Sequence, residues 1–335
     1  MTATLQPSNL ALFWAAVIAV SILVYVVLDG FDLGVGILFG FTRDETQREQ
    51  MMGSIAPFWD GNETWLVVIG ASLYAAFPAV YAVFLGAFYI PVLLLLFGLI
   101  FRGVAFEFRL HSQRLRKHWD FGFFAGSTVV AFVQGAAVGA MMKGIPVADR
   151  QYAGGSFDWF APFPLLTGMG LVLGYALLGA GWLVMKAEGP LRDIALRRIP
   201  WLAGSMLLVL AVAFGLTLDH SALANSNLRS RPWGLVFPLV GLLALVGVLL
   251  GTRRKHDVLP FALTVLFFLS AFMTLGVMYW PYMVPYAITV ADAAAAEASL
   301  SFLFWGAGLF VLPVIAIYTV AVYWIFRGKT RVGHG

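Results

Sequence analysis

Long apolar stretches separated by short polar segments dominate the chain. A transmembrane helix needs about 20 consecutive apolar residues, and most of the charge-free runs reach or exceed that length. The runs cover residues 10–28, 64–101, 121–142, 160–185, 199–218, 233–252, 258–290 and 298–326. This pattern predicts an all-α polytopic membrane protein.

The run at 64–101 is too long for one helix. It would measure about 57 Å at 1.5 Å per residue, whereas the hydrocarbon core of a bilayer is about 30 Å thick. Dividing the run at Phe77 and Pro78 gives two closely connected spans and nine helices in total. Keeping it whole gives eight helices, the alternative topology.

Basic residues accumulate on the cytoplasmic side of membrane proteins, so they test the two topologies. Nine helices place 17 of the 21 Lys and Arg residues on one side of the membrane, whereas eight helices place 15 there. The nine-helix topology is favoured. It predicts an external N-terminus and a cytoplasmic C-terminus.

Composition narrows the class of protein further. Of the 335 residues, 61% are hydrophobic and 11% are charged, far below the roughly 25% charged residues of soluble domains. The absence of cysteine excludes disulfides, thiolate metal sites and cysteine nucleophiles. There is no nucleic-acid signature and no metal motif. We expect one integral membrane domain over 1–335, with a first helix bundle at 10–142 and a second helix set at 160–326.

Two acidic clusters border the apolar runs. Asp29 and Asp32 lie in LDGFDLGVGILFGF, and Asp60 and Glu63 lie in FWDGNETW. Carboxylates at membrane depth are costly and favour a functional interpretation, commonly a proton or ion path. The alternative is that Asp29 and Asp32 cap the first helix at the membrane interface and face water.

Further along the chain, FRGVAFEFR carries possible charge partners for these carboxylates. Arg102 and Arg109 are the candidate cations, and Glu107 lies between them. A nearby cation would favour the ionised form of a buried carboxyl.

Asp60 has two interpretations. Asp-Gly-Asn is typical of a turn, so Asp60 could cap a helix that begins near Asn62 or Glu63. Alternatively, Trp59 and Trp65 join these polar groups to hold a water chain or a polar ligand head. The two tryptophans are equally typical of interfacial anchors.

Histidine positions bear on haem binding. All five histidines fall in loops, at the edges of spans or at the C-terminus, whereas a buried haem needs an axial ligand such as His or Met inside a helix. We therefore expect no haem in this chain alone. Glycine pairs such as Gly30/Gly34 and Gly135/Gly139 predict close helix packing.

Several motifs closely resemble subunit II of the cytochrome bd type quinol oxidases, in the cyanide-insensitive branch. They are LDGFDLGVG, GSIAPFWDGNETWLV, FPAVYA, FYIPVLLLLFGLIFRGVAFEFR and WDFGFFAGS, and they are dense over residues 28–127. The resemblance implies a nine-helix subunit in the bacterial cell membrane, built as two four-helix bundles plus one peripheral helix. It also implies a partner, subunit I, that holds a low-spin haem b, a high-spin haem b and haem d. A small accessory transmembrane subunit is possible in such a complex.

The reaction implied by the resemblance is oxidation of two quinols with reduction of O2 to water, with protons drawn from the cytoplasm. The resemblance carries over a proton-path role to Asp60, with Asp32 and Asp29 as neighbours, and matches Arg102 and Glu107 as positions only. Glu63 departs from relatives that have Gln there, so it is an additional candidate carboxylate. Trp59 and Trp65 are candidates for holding a structural quinone.

Two other classes of function stay open. A purely structural subunit would stabilise a catalytic partner without moving protons. A secondary cation transporter would also place carboxylates in helices, but with inverted repeats or broken helices near the midplane. Here the acidic residues gather at one edge only.

Overall fold

The first half of the molecule is a set of helices joined by short turns. The computed structural model describes residues 6–112, 114–218, 228 and 230–330. Its first six helices are α1 Asn9–Phe39, α2 Glu45–Ile55, α3 Trp59–Ala76, α4 Pro78–Ala87, α5 Tyr89–His111 and α6 Arg116–Lys143.

The second half continues with helices and two small hairpins. The helices are α7 Pro162–Lys186, α8 Gly189–Leu218, a 3₁₀ turn Pro232–Leu235, α9 Val236–Arg253, α10 Leu259–Tyr279, α11 Val290–Ala293, α12 Glu297–Leu303, a π-helix Phe304–Val311 and α13 Leu312–Ile325. The antiparallel strand pairs are β1 Val147–Ala148 with β2 Gln151–Tyr152, and β3 Tyr282–Val284 with β4 Ile288–Thr289.

Within the described residues, eight helices are long and apolar enough to cross a membrane, the last being the continuous segment Glu297–Ile325. Helix α3 is less apolar and is not among these eight, but we count it as a ninth span because of its length. Its 18 residues span about 27 Å, close to the thickness of the hydrocarbon core. The prediction of an all-α polytopic membrane protein with about nine helices is confirmed.

The break at Phe77 and Pro78 is also confirmed. Helix α3 ends at Ala76 and α4 begins at Pro78, where the proline ring prevents continuation of the preceding helix. A second break at Phe88, which makes α4 a helix of only ten residues, was not predicted. Trp59 is the first residue of α3, and its ring lies 5.4 Å from that of Phe106, near the C-terminal end of α5. Helices α3 and α5 therefore run in opposite directions.

Contacts between loops decide between nine and eight helices. Arg48 forms a 2.7 Å ion pair with Asp120, and Arg116 forms a 2.8 Å ion pair with Glu49. These bonds join the first loop to the third at the same end of the molecule. The eight-helix alternative is wrong, because it would place these two loops on opposite sides of the membrane.

The same end gathers the other basic segments, and we call it the basic end. Arg198 donates to the carbonyl of Phe41 at 2.8 Å, and Asp257 pairs with Arg192 at 2.6 Å and with Lys329 at 2.8 Å. The hydrogen bond from Lys329 lowers the pKa of Asp257 below its ordinary value. This carboxylate is therefore ionised at neutral pH.

Helix packing groups the spans. Helix α1 packs on α3 and α6, and α5 packs on α6. Helix α7 packs on both α1 and α6, and α8, α9 and α10 follow α7. The last span contacts α1 and α3, and α13 has no buried residue. The division of the chain into sets at 10–142 and 160–326 stays a prediction.

Glycines bring α7 into direct backbone contact with both α1 and α6. A Cβ added at Gly34 would lie 1.9 Å from the carbonyl oxygen of Tyr175, and one added at Gly135 would lie 2.5 Å from that of Thr167. The predicted close packing at these glycine pairs is confirmed. As a result, side chains of α7 reach the buried face of α1.

Candidate functional site

Asp29 and Asp32 lie inside helix α1 and inside the protein. Both side chains are 0% exposed. Helix α1 continues to Phe39, so Asp29 lies about 15 Å from the end of the helix. The alternative in which these residues cap the helix and face water is therefore wrong.

Arg102 of α5 joins the two predicted acidic segments. Its Nη1 donates to Asp29 Oδ1 at 2.7 Å, and its Nη2 forms a short ion pair with Glu63 of α3. The guanidinium is 2% exposed and lies 6.0 Å from the Trp59 ring. We call Asp29, Asp32, Glu63 and Arg102 the acidic cluster.

Asp32 is held by an amide. Asn62 Nδ2 donates to Asp32 Oδ2 at 2.7 Å and to the carbonyl of Leu28 at 3.2 Å. The Tyr323 hydroxyl in turn donates to Asn62 Oδ1 at 3.1 Å. Tyr323 was missed in the sequence, because it lies 261 residues from Asn62 and no motif surrounds it.

Charge in the acidic cluster is unbalanced. Three carboxyls face one guanidinium, and burying an uncompensated charge is strongly unfavourable. Asp29 Oδ2, Asp32 Oδ1 and Arg102 Nε are buried without a hydrogen-bond partner among the described residues. Buried polar atoms normally have a protein or water partner. The cluster is therefore chemically suited to bind a proton and to order water.

Asp60 lies at the outer edge of this cluster. It is exposed and occupies the first turn of α3, one turn before Glu63, whose side chain is 25% exposed. Helix α3 begins at Trp59, and its N-cap residue Phe58 makes no side-chain capping bond. The interpretation of Asp60 as the cap of this helix is wrong, because the helix starts earlier than the turn motif indicated.

Arg109 and Glu107 lie apart from the acidic cluster. Arg109 Nε donates to Asp120 Oδ1 at 2.5 Å, and Arg109 also pairs with Glu45. It is two turns beyond Arg102, about 10 Å further along α5, so the structure does not bring it to Asp29 or Asp32. Glu107 is exposed.

The two candidate tryptophans differ in burial. Trp65 is 8% exposed, and its Nε1 has no hydrogen-bond partner among the described residues. Trp59 is half-buried and packs beside Phe106. A quinone site at these rings stays a prediction.

The described histidines lie at the surface of this chain. His111, His118 and His256 are exposed at or near helix ends, whereas an axial ligand faces a buried haem. His220 and His334 lie outside the described residues. In the part of the chain that the structure describes, no group of three or more His, Cys, Asp or Glu is arranged for a metal ion.

Fold and site together define a class: a polytopic α-helical membrane protein with a buried arginine–carboxylate cluster. The chain matches the family of cytochrome bd terminal oxidase subunit II over residues 10–326, and it belongs to that family. The predicted family membership is confirmed.

Two relatives match nearly the whole chain. This chain is 31% identical to the cytochrome bd-I ubiquinol oxidase subunit 2 of Escherichia coli (strain K12), over 96% of this chain and 95% of the relative. It is 31% identical to the cytochrome bd ubiquinol oxidase subunit 2 of Bacillus subtilis (strain 168), over 96% of each.

A solved structure shares the fold. The structure of bd oxidase from Geobacillus thermodenitrificans contains a chain that matches with a TM-score of 0.77. The match is 13% identical in sequence and covers 96% of this chain and 100% of that one. This likeness supports the helical architecture.

Proposed function

We propose that this chain is subunit II of a bd-type quinol oxidase in the bacterial cytoplasmic membrane. A partner, subunit I, binds haems b and d and carries out quinol oxidation and O2 reduction. This chain contributes to the uptake of protons from the cytoplasm. The observation that carries the proton role is the buried acidic cluster, with its unpartnered carboxylate oxygens.

Reduction of O2 to two waters consumes four protons and four electrons, and two quinols supply the electrons. Protons that come from the cytoplasm need titratable groups between the protein surface and its interior. Exposed Asp60, partly exposed Glu63 and buried Asp29 form such a series. Asp32 lies one turn from Asp29 on α1, toward the basic end.

Arg102 supports this series by its position. It binds both Glu63 and Asp29, so it keeps two proton-binding carboxyls close together in an otherwise apolar region. Its positive charge also reduces the cost of burying negative charge there. The guanidinium already supplies a positive charge to Asp29 and Glu63, which disfavours a role for these carboxyls in binding a transported cation.

The purely structural subunit is the alternative with an observation in its favour. Arg102 links α1, α3 and α5, and such a bond would hold a helix bundle together without proton transfer. A structural role does not require that Asp32 be titratable, because its bond from Asn62 can be accepted equally well by an amide oxygen.

Asp32→Asn tests the proton role in the assembled complex. We expect O2 reduction to slow at least about tenfold, the order expected for loss of a positioned proton-transfer group, while haem content and assembly are retained. The matched control is Asp292→Asn, in the capping box of α11 at the other end of the molecule. Normal turnover of a fully haem-loaded Asp32→Asn complex would leave the structural role standing.

The partner and cofactor part of the proposal has its own test. The purified chain alone should show no haem absorption bands, whereas the complex that co-purifies with subunit I should show them. Identification of the co-eluting chains also tests for an accessory subunit, and lipid extraction tests for bound quinone. A chain that purifies alone with its own quinol oxidase activity would contradict the proposal.

A further inference from the structure

Three polar side chains lie where α1, α6 and α7 meet. They are further from the basic end than the acidic cluster. They are Tyr25 of α1, Gln134 of α6 and Tyr175 of α7. Tyr25 is 4% exposed and Tyr175 is 0% exposed. We call these three residues the tyrosine–glutamine chain.

Hydrogen bonds give this chain a direction. The Tyr175 hydroxyl donates to Gln134 Oε1 at 2.8 Å, and Gln134 Nε2 donates to the Tyr25 hydroxyl at 2.8 Å. A phenol has one proton to donate and also accepts hydrogen bonds. Tyr175 uses its proton on Gln134, whereas Tyr25 accepts and keeps its own proton for another acceptor.

Asp29 is the acceptor that the geometry offers. It lies one helical turn after Tyr25, so the two side chains share a face of α1, and Asp29 acts electrostatically on both Tyr25 and Tyr175. Asp29 Oδ1 binds Arg102, whereas Asp29 Oδ2 is buried without a partner among the described residues. Asp29 Oδ2 is therefore the acceptor that remains available to the Tyr25 proton.

Backbone glycines make room for this arrangement. A Cβ added at Gly30 would lie 2.8 Å from the ring of Tyr175. Gly34 also lets the backbone of α7 touch α1, so the Tyr175 ring lies directly against α1. The contact between α1 and α7 thus positions the donor end of the chain.

We infer that Tyr25, Gln134 and Tyr175 are positioning residues for Asp29: they direct the Tyr25 proton to Asp29 Oδ2 and so fix the carboxyl that exchanges protons. This inference rests on the proposed proton role of the acidic cluster. The other charged or titratable groups that face Asp29 are Asp32 on α1, Glu63 on α3, Arg102 on α5 and Tyr323 on α13.

The experiment uses infrared difference spectra of the whole oxidase complex. The carboxyl band of Asp29 is first identified by its loss in Asp29→Asn and its displacement in Asp29→Glu. We expect both Tyr25→Phe and Gln134→Met to shift this band. Tyr25→Phe removes the hydroxyl that donates to Asp29, and Gln134→Met removes the amide that holds this hydroxyl in place. Tyr175→Phe should shift it less, since the Gln134 amide can still donate to Tyr25.

Turnover gives a second readout. Tyr25→Phe should slow O2 reduction about threefold to tenfold, and the double variant with Gln134→Met should be no slower than Tyr25→Phe alone, because both act on one donor. A merely structural role would instead give additive losses and leave the Asp29 band in place.

The matched control is Tyr279→Phe, which removes a partly buried hydroxyl that donates to the carbonyl of Met142 at 3.0 Å, far from Asp29. It should leave the Asp29 band unchanged. An Asp29 band unmoved in Tyr25→Phe, or moved equally in the control, would overturn the inference. Normal turnover in Asp32→Asn would instead count against the proton role while leaving a shifted Asp29 band intact, so the two failures are distinguishable.

Discussion

Asp29 and Asp32 are one turn apart on α1 and equally buried, yet they have different partners. Asp29 binds a guanidinium, whereas Asp32 accepts from the Asn62 amide. The change Asp32→Asn can therefore keep the hydrogen bond from Asn62, whereas Asp29→Asn would remove an ion pair with Arg102. For this reason Asp32→Asn is the cleaner test of a titratable group in the cluster.

At the surface end of the series, Asp60 provides a prediction. Asp60→Asn keeps the size of the side chain and removes its titratable group, and the residue makes no capping bond that the change could break. We expect turnover to fall about threefold to tenfold, equivalent to about 1 kcal/mol in the barrier, with haems and assembly retained. Oxygen consumption of the purified complex measures it.

The control for this variant is Asp193→Asn, another exposed carboxylate near the basic end. It should change turnover by less than about twofold. If Asp60→Asn also stays within that range in a haem-loaded complex, Asp60 is not on the proton path.

Residue roles could be predicted only where a motif marked them. Arg102 was predicted as a charge partner and binds Asp29, since a cation near a buried carboxylate is expected on energetic grounds. Arg109 was predicted on the same grounds but binds Asp120, because the rise of α5 carries it too far along the helix. Tyr323 and Gln134 reach the site only through tertiary packing, which no local pattern reveals.

Some helix boundaries could be predicted from the sequence and others could not. The break at Pro78 could be predicted from the length of one apolar run and the chemistry of proline. The break at Phe88 and the π-helix Phe304–Val311 could not, because the apolar pattern continues through both. The hydropathy pattern also does not show that Asp29 and Asp32 are fully buried inside the protein.

The contact between α1 and α7 carries a prediction at this scale. Gly34→Ala would place a methyl group 1.9 Å from the carbonyl oxygen of Tyr175, so the two helices must separate. We expect reduced assembly and a lower melting temperature of the complex, by several degrees or more for a clash in a packed core. Thermal unfolding and the yield of haem-loaded complex measure the effect.

Gly204→Ala is the matched control, because it changes a glycine of α8 that has no atom within 4 Å of the added Cβ. Alanine there should be neutral or slightly stabilising, since it is the better helix former. Equal stability of the two variants would show that the α1–α7 contact does not constrain the fold.

For the molecule as a whole, the loops collect at two ends. The basic end contains the paired residues Arg48 and Asp120, whereas at the opposite end the amide of Ala295 donates to the carbonyl of Ala76 at 2.9 Å. Charge asymmetry could be predicted from sequence because the positive-inside rule depends only on loop charge. The contacts within each end required the folded structure.

Orientation in the membrane follows from this asymmetry and can be measured directly. The chain has no cysteine, so a single introduced thiol is a clean reporter. Because the nine-helix topology places 17 of the 21 basic residues on one side, we expect Lys117→Cys to be cytoplasmic. Ser156→Cys, an exposed site in the loop between α6 and α7, should be external. A membrane-impermeant maleimide added to intact cells should label Ser156→Cys alone, and both sites should label in opened membranes. Labelling of Lys117→Cys alone in intact cells would reverse the orientation, and the acidic cluster would then open to the outside, where it could not draw protons from the cytoplasm.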